Sequence, residues 1–418
     1  MKTERTVAGL DIGSGKTVAV IAEIVGELPK RPGIRVLGVG EARTTGMRRG
    51  VVTDIEETTR SVRRALDDAE RMAGVQADSA FVGIAGEHVR AMTSQGIVAV
   101  AGAEITKSDV DRVNQVARVQ PLPQDRELLH AIPQEYSVDR GGGIQDPVGM
   151  TGMRLETEMY LVTIGASPAT NLRKSVERAE CKVRELVLEP LASALAVLTE
   201  DEKELGVALI ELGAGSTDVA VFHEGKIRHL ATIAFGGAHV TNDLVHGLGV
   251  TQHDAEQLKE QFAVAYESLV DQKEIIALPA TATHGERQIP RELIAHIVHQ
   301  RLDEIFDLVQ RSVQGASYGG RLSGGVVLTG GGAAMPGVTE LASDVFGTTA
   351  RVGTPGEQVT GLRESVEGPG YATVLGLALY GASRVAIGGA PQKKRVTIET
   401  PGVDKWAQRV KLWLQDFF

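Results

Sequence analysis

Two stretches of this chain, 200 positions apart, repeat one pattern. Val7 to Ile21 reads VAGLDIGSGKTVAVI, and Val207 to Val221 reads VALIELGAGSTDVAV. In each, an apolar run ends in an acid, Asp11 or Glu211. A turn of Gly13-Ser14-Gly15 or Gly213-Ala214-Gly215 follows, and a second apolar run opens near Thr17 or Thr217. Each copy reads as a β-hairpin. Turn glycines allow positive φ and let backbone N–H groups approach a phosphate closely. Lys16 adds a mobile positive charge, and Asp11 is placed to hold the water shell of Mg²⁺. One glycine turn between strands is usually only a turn. Two copies at this spacing point to a duplicated domain whose hairpins grip one polyphosphate from both sides.

Two other phosphate-binding patterns are excluded. A P-loop needs G-x-x-x-x-G-K-[ST], and counting back from Gly15-Lys16-Thr17 puts Leu10 at the first glycine. A Rossmann fingerprint needs a helix after its glycines, whereas a strand pattern follows here.

With 418 residues, the chain is long enough for two or more domains. Its net charge of −10 gives no global basic face for nucleic acid. The single cysteine, Cys181, excludes an internal disulfide framework and reads as a packed residue in a helical stretch, Val176–Glu185. No signal-peptide pattern and no spanning apolar run is present, so the expectation is a cytoplasmic protein.

In chain order, a strand is expected at Ile34–Gly40. A helix follows at Asp54–Ala73, capped by Thr53 or Asp54, ended by Gly74, and buried through Ile55, Val62, Leu66, Ala69 and Met72. Phe81–Ile84 is a further buried strand. From Gly86 to Leu161 the pattern changes and reads as an inserted subdomain: a strand at Val98–Val100, a helix from Ile105 to Val119, Leu128–Asp139, a glycine turn Gly141–Gly143, and a returning strand Leu155–Ile164. His130 has no acid or serine at telling spacing, so it reads as packed, not catalytic. Helices are expected at Ser167–Ala179, after Pro190, at Thr241–Leu248, Gln252–Phe262, Arg291–Val313 and Val338–Phe346. Gly236-Gly237 ends a strand. Glu256 and Lys259 share one helix face at i, i+3. Val326–Thr329 runs into a third glycine turn, Gly330-Gly331-Gly332, suited to a base or ribose packing on backbone. The small residues of Gly370–Leu379 suit close interdomain packing.

The tail differs again. Residues 388–403 read as a flexible linker. In Asp404–Phe418, Trp406, Val410, Trp413, Leu414 and Phe417 share one helical face ahead of Phe418. Lys405, Arg409 and Lys411 lie on the other. From Pro391 onward there are six basic and three acidic side chains, +3 on an acidic chain. That is the pattern of a helix lying in an anionic membrane surface. One such helix binds weakly; many in one polymer bind firmly. The tail therefore points to self-assembly.

The ordered motifs resemble the actin, sugar-kinase and chaperone ATPase superfamily: Asp11–Thr17, Glu189–Ala194, Glu211–Asp218, Gly330–Ala333 and Gly370–Ala378. More closely, Ile105–Val113 (ITKSDVDRV), His130–Asp139 (HAIPQEYSVD), Asp146–Leu155 (DPVGMTGMRL) and the tail resemble the FtsA family of bacterial cell-division proteins. The resemblance implies an α/β, actin-like, duplicated ribonuclease-H-like ATP-binding fold of two domains, with an inserted subdomain and a C-terminal amphipathic helix. It divides the chain into a first subdomain (1–84, 163–190, 368–387), the insert (85–162), a second subdomain (191–230, 300–367) and an outer subdomain (231–299). It implies ATP and Mg²⁺ as cofactors. Gly13, Ser14, Gly15, Lys16, Thr17, Gly213, Ala214, Gly215, Ser216 and Thr217 would lie about the phosphates. Gly236, Gly237, Glu256, Lys259, Gly330, Gly331 and Gly332 would lie about adenosine. Asp11 and Glu211 would sit near Mg²⁺ through water, and Glu189 at the water-polarising position. The family also implies filaments at the inner face of the cytoplasmic membrane, the C-terminal peptide of the tubulin-like FtsZ as partner, and recruitment of later division proteins. Arg287, Arg291 and Arg301 are the basic candidates for that peptide.

Glu211 and Ala214 depart from the superfamily's usual Asp and Gly. An acid longer by about 1.5 Å displaces its carboxylate, and misplacement on that scale costs about 10²-fold in rate. Nucleotide binding with weak or absent hydrolysis is therefore expected. Two alternatives within the superfamily are a metabolite kinase and a pilus-assembly scaffold. The kinase has no use for the tail, and the pilus scaffold is expected to lack it and to bind a short peptide of a pilus membrane protein.

Overall fold

The computed structural model describes residues 6–26, 32–271, 273–278, 285–316 and 318–388. The expected membrane helix, with Lys405, Trp406, Arg409, Val410, Lys411, Trp413, Leu414, Phe417 and Phe418, lies outside them, as does residues 389–403 of the expected linker.

The first half begins with β1 (Thr6–Ile12), β2 (Lys16–Val25) and β3 (Gly33–Arg43) in an antiparallel meander, then the ribbon β4 (Met47–Arg48) and β5 (Val51–Val52). Helix α1 (Ile55–Ala73) follows. Asp54 caps it by accepting from the Glu57 N–H at 2.9 Å, and Gly74 ends it in the left-handed region. Its packed face is as expected except at Met72, which is 53% exposed in the last turn. Strand β6 (Ser79–Ile84) leads to the insert: β7 (Arg90–Ala99), α2 (Lys107–Arg118), β8 (Arg126–Val138), β9 (Gly141–Ile144) and β10 (Arg154–Gly165), paired in the order β7-β10-β8-β9. Here Gly141–Gly143 lie in a strand. The turn falls earlier, at Asp139 and Arg140, whose φ angles are positive.

The chain returns through α3 (Ala166–Arg178), β11 (Lys182–Leu188), α4 (Glu189–Val197) and α5 (Glu200–Leu205). Cys181 is buried in the turn between α3 and β11, not in a helix, and burial pushes its thiol up to about 11. The second half holds β12 (Val207–Leu212), β13 (Thr217–His223), β14 (Lys226–Ile233), α6 (Gly237–Leu248), α7 (Gln252–Phe262), β15 (Ile275–Leu278), β16 (Arg287–Pro290), α8 (Arg291–Gly315), β17 (Val326–Thr329), α9 (Val338–Phe346), β18 (Ala350–Val352), β19 (Val359–Gly361) and α10 (Ala372–Gly388).

The two halves repeat one topology. Sheet one runs β11-β6-β1-β2-β3-β19 and sheet two runs β14-β13-β12-β17-β18. In each, an antiparallel meander carries two further parallel strands on the side of its first strand. Even the register matches, with Ile12 opposite Thr17 and Leu212 opposite Thr217. Helices α4 and α10 lie between the halves. Their small and aliphatic side chains join one core with Val18, Val20, Leu209 and Phe222 from both sheets. They touch backbone to backbone: a Cβ at Gly376 would stand 1.8 Å from the Ala192 carbonyl oxygen.

Candidate functional site: a cleft between paired hairpins

Both hairpin turns close with the same hydrogen bond. The Gly13 N–H donates to the Lys16 carbonyl, and the Gly213 N–H to the Ser216 carbonyl, each at 3.0 Å. The tips meet. A Cβ on Gly15 would lie 2.8 Å from the Ala214 Cβ, and one on Gly215 would lie 2.8 Å from the Ser14 Oγ, so only glycine permits this approach. Ser14 Oγ accepts from the Gly50 N–H at 3.2 Å. Gly236 and Gly237 pack on the second tip, where the Gly237 and Ala238 N–H groups donate to the Gly213 and Ala214 carbonyls at 2.9 and 2.8 Å.

Thr17 and Thr217 are fully buried, and their hydroxyls are engaged within the fold. Thr17 bonds the Thr44 hydroxyl at 2.7 Å, and Thr217 donates to the Phe235 carbonyl at 2.9 Å. They brace the turns. Lys16 is at the mouth of the cleft. Its Nζ pairs with Glu41 at 2.9 Å and lies 4.2 Å over the Tyr371 ring. Gly370 stands beside both that Nζ and Gly331, so Lys16 and the third glycine turn face one space. A Cβ at Gly331 would meet nothing within 4 Å; one at Gly332 would meet Leu212. Gly330, at φ +81°, donates its N–H to the Pro369 carbonyl at 3.2 Å.

The expected i, i+3 pair forms. Lys259 Nζ lies 2.8 Å from Glu256, donates to Thr241 Oγ1 at 2.9 Å, and reaches the Gly237 carbonyl at 3.3 Å. The adenosine candidates are thereby tied to the second hairpin through Gly237.

Four carboxyl groups converge on the cleft floor. Glu189, at the start of α4, lies over Gly83 at the end of β6. Glu211 accepts from Ser193 Oγ at 3.0 Å and from the Thr373 hydroxyl. Asp218, opposite Glu211 across the hairpin, accepts from Thr232 Oγ1 at 2.5 Å and Ser216 Oγ at 3.2 Å. Burial raises all four. Asp11 rises to about 6 against the pull of Lys16, Asp218 to about 6 and Glu211 to about 8. Glu189 rises well above the carboxylate range, with Asp11, Glu211 and Asp218 adding repulsion. Excess negative charge with oxygen donors suits a hard divalent cation. Among the described residues no group of three or more His, Cys, Asp or Glu side chains is placed to hold a metal ion.

Asp218, Ser193, Thr373, Thr232, Glu41 and Tyr371 carry no local sequence signal. The hairpin register alone would have found Asp218. His130 is packed as expected: its ring is buried and held neutral, and Nε2 accepts from the Leu188 N–H at 3.1 Å.

The three candidate peptide-binding arginines are engaged within the chain. Arg287 donates to the Leu248 carbonyl at 2.6 Å. Arg291 reaches the Phe262 carbonyl and Glu274 at 2.9 and 2.8 Å. Arg301 forms a two-pronged pair with Asp243 at 2.5 and 3.0 Å. The Arg291 and Arg301 side chains are 23% and 22% exposed, so they are neither a solvated face nor free cations, and an acidic peptide would have to displace these partners. A cavity of about 740 Å³ lined by residues of α8 and α9, among them His299, Asp303, Leu341 and Asp344, shares no residue with the cleft.

A family model described as "Cell division protein FtsA" matches residues 208–376, and one described as "SHS2 domain inserted in FTSA" matches residues 86–163. The chain is 40% identical over 388 residues to the cell division protein FtsA of Pseudomonas aeruginosa, covering 93% of this chain and 92% of that one. This chain belongs to the FtsA family. The likeness holds at 35% over 423 residues to the FtsA of Escherichia coli strain K12, covering 99% and 98%. Among solved structures, the chain resembles one of a PilM–PilN type IV pilus biogenesis complex (TM-score 0.62, 18% identity, 90% of this chain and 98% of that one). It also resembles MreB5 of Spiroplasma citri bound to ADP (0.54, 14%, 92% and 99%). These likenesses establish the actin-like fold. The FtsA family is one of cell-division proteins, and this member carries the family's insert on that fold.

Proposed function

We propose that the chain is an ATP-binding, polymerising scaffold that tethers FtsZ filaments to the inner face of the cytoplasmic membrane and recruits later division proteins. One observation carries the nucleotide part: two turns with the same closing bond meet tip to tip, over four carboxyl groups and beside Lys16, Gly331 and the Lys259–Glu256 pair. Backbone N–H groups and Lys16 suit phosphates, and the carboxyl groups suit hydrated Mg²⁺. MreB5, of the same fold, binds ADP. Family membership supports the division role over a metabolite kinase.

Lys16 would exchange Glu41 for phosphate. Lys16→Ala is expected to weaken Mg-ATP binding about 10–100-fold, the worth of a charged hydrogen bond of about 1.5–3 kcal/mol. Titration with a fluorescent ATP analogue measures it, and unchanged affinity would mean that Lys16 stays with Glu41.

The tether rests on the basic, aromatic tail. With ATP, the full chain is expected to sediment with anionic liposomes, steeply with protein concentration, and a chain stopped at Val403 to stay in solution. Sedimentation of both, or of neither, would sink the tether.

A further inference from the structure

The insert reaches the cleft at its first residue. Gly86, where the match to the inserted domain begins, lies against Arg49 and Gly50; a Cβ on Gly86 would stand 2.9 Å from the Arg49 carbonyl oxygen and 3.4 Å from the Gly50 Cα. Gly50 donates its N–H to Ser14 Oγ on the tip of the first hairpin. On its other side, the Gly86 carbonyl lies 3.4 Å from Thr232 Oγ1. Thr232 stands directly across from Asp218 in the β13–β14 ladder, and its Oγ1 is 2.5 Å from Asp218 Oδ1. One residue of the insert thus sits one contact behind each hairpin. A cavity of about 30 Å³, roomy enough for one water, lies between them, lined by Val89, Arg90, Pro190, Asp218 and Thr232 among others. A second link runs in parallel, from His130 of β8 to the Leu188 N–H just before Glu189.

A threonine hydroxyl has one proton to donate. Here it has two acceptors, the Asp218 carboxyl group and the Gly86 carbonyl, and the shorter contact is to Asp218. The Gly86 carbonyl already accepts from the Val89 N–H at 3.0 Å and keeps a second lone pair. We propose that Thr232 is a positioning residue that couples the nucleotide cleft to the inserted subdomain: when a nucleotide with its cation engages Asp218, the Thr232 hydroxyl turns to the Gly86 carbonyl and tightens the root of the insert. This rests on the ATP-binding reading above. It makes the insert's attachment a reporter of cleft occupancy, through a contact of the fold that no motif announces.

The test is hydrogen–deuterium exchange of the full chain with and without the Mg²⁺ complex of a non-hydrolysable ATP analogue, with binding of that analogue titrated on the same samples. In the wild type, the analogue is expected to slow exchange in peptides spanning Gly86–Ala91 by at least about twofold. Thr232→Ser keeps the hydroxyl and is expected to keep that response. Thr232→Val keeps the shape and is expected to lose the response while still binding. An equal response in Thr232→Val, or none in a wild type that binds saturably, overturns the coupling alone. No saturable binding by the wild type overturns the nucleotide reading and the coupling with it. Loss of the response in both variants marks a packing effect and also overturns the proposal. A merely structural threonine would lower stability without separating binding from the response.

Discussion

Gly376→Ala is expected to destabilise the fold by about 3 kcal/mol or more, although helix propensity alone favours alanine over glycine by about 1 kcal/mol. The two effects have opposite signs, and geometry decides between them. The added Cβ would stand 1.8 Å from the Ala192 oxygen and 2.2 Å from its carbonyl carbon. Both are backbone atoms of α4, so no rotamer change relieves the contact. The helices must separate, and their joint core includes Leu191, Val374 and Leu377, all fully buried. Separation exposes or voids apolar contacts that both halves share. Gly315, at the end of α8, is the internal control. A Cβ there meets nothing within 4 Å, so Gly315→Ala is expected to be neutral or mildly stabilising. Urea unfolding followed by far-ultraviolet circular dichroism measures both. Tryptophan fluorescence would not, since Trp406 and Trp413 are the only tryptophans of the chain and both lie in the tail. Equal behaviour of the two variants would show that α4 and α10 are not in backbone contact.

Much of this architecture was legible in the sequence because it is locally encoded. Period-two apolar runs around a glycine turn mark each hairpin, and the matched positions Ile12 and Thr17, Leu212 and Thr217 confirm the repeat. Helix α7 was legible to the residue, as Gln252–Phe262, and in the structure Thr251 caps it, with its side chain accepting from the Asp254 N–H. The Glu256–Lys259 pair followed from helical spacing alone. What escaped depends on distant pairing. Asp218 looks like any strand residue until the register sets it opposite Glu211. Ser193 and Thr373 meet over Glu211 from helices far apart in sequence. Strands β18 and β19 have three residues each and exist only because remote parallel partners hold them. The turn at Asp139 and Arg140 escaped because Gly141–Gly143 offered a stronger local signal, whereas the ladder with β8 takes those glycines as strand. Arg287 and Arg291 looked like free cations because their acceptors, the carbonyls of Leu248 and Phe262, belong to helix ends about 30–40 residues away.

Glu211→Gln is expected to raise the stability of the nucleotide-free chain at pH 8 by a few kcal/mol while changing little at pH 4. Burial pushes the Glu211 carboxyl group from 4.5 up to about 8, helped by repulsion from Asp11 and Asp218 and opposed by the Thr373 and Ser193 hydroxyls. In the unfolded chain the same group ionises at its ordinary value. Between about pH 4.5 and 8 the folded chain therefore binds more protons, and stability falls as pH rises through that window. Above pH 8 the full cost is present. At about 1.4 kcal/mol per unit of pH, the shift bounds the effect near 5 kcal/mol, and relaxation of the cleft lowers it. Glutamine has the same shape and no charge, and its amide oxygen still accepts from one hydroxyl, so the variant escapes the cost. Asp11 and Asp218, each raised to about 6, impose the same sign of slope at lower pH in both proteins. The difference between variant and wild type therefore reports Glu211 together with its repulsion by Asp11 and Asp218, and it should grow steadily from about pH 4.5 to 8. Urea midpoints across that range measure it. Parallel profiles would mean that Glu211 ionises normally and that Ser193 and Thr373 suffice to hold a carboxylate there. A growing difference would mean that the cleft stores unfavourable negative charge, which a bound cation would relieve. Mg²⁺ with nucleotide should then stabilise the wild type more at pH 8 than at pH 6, and the variant by less at either pH.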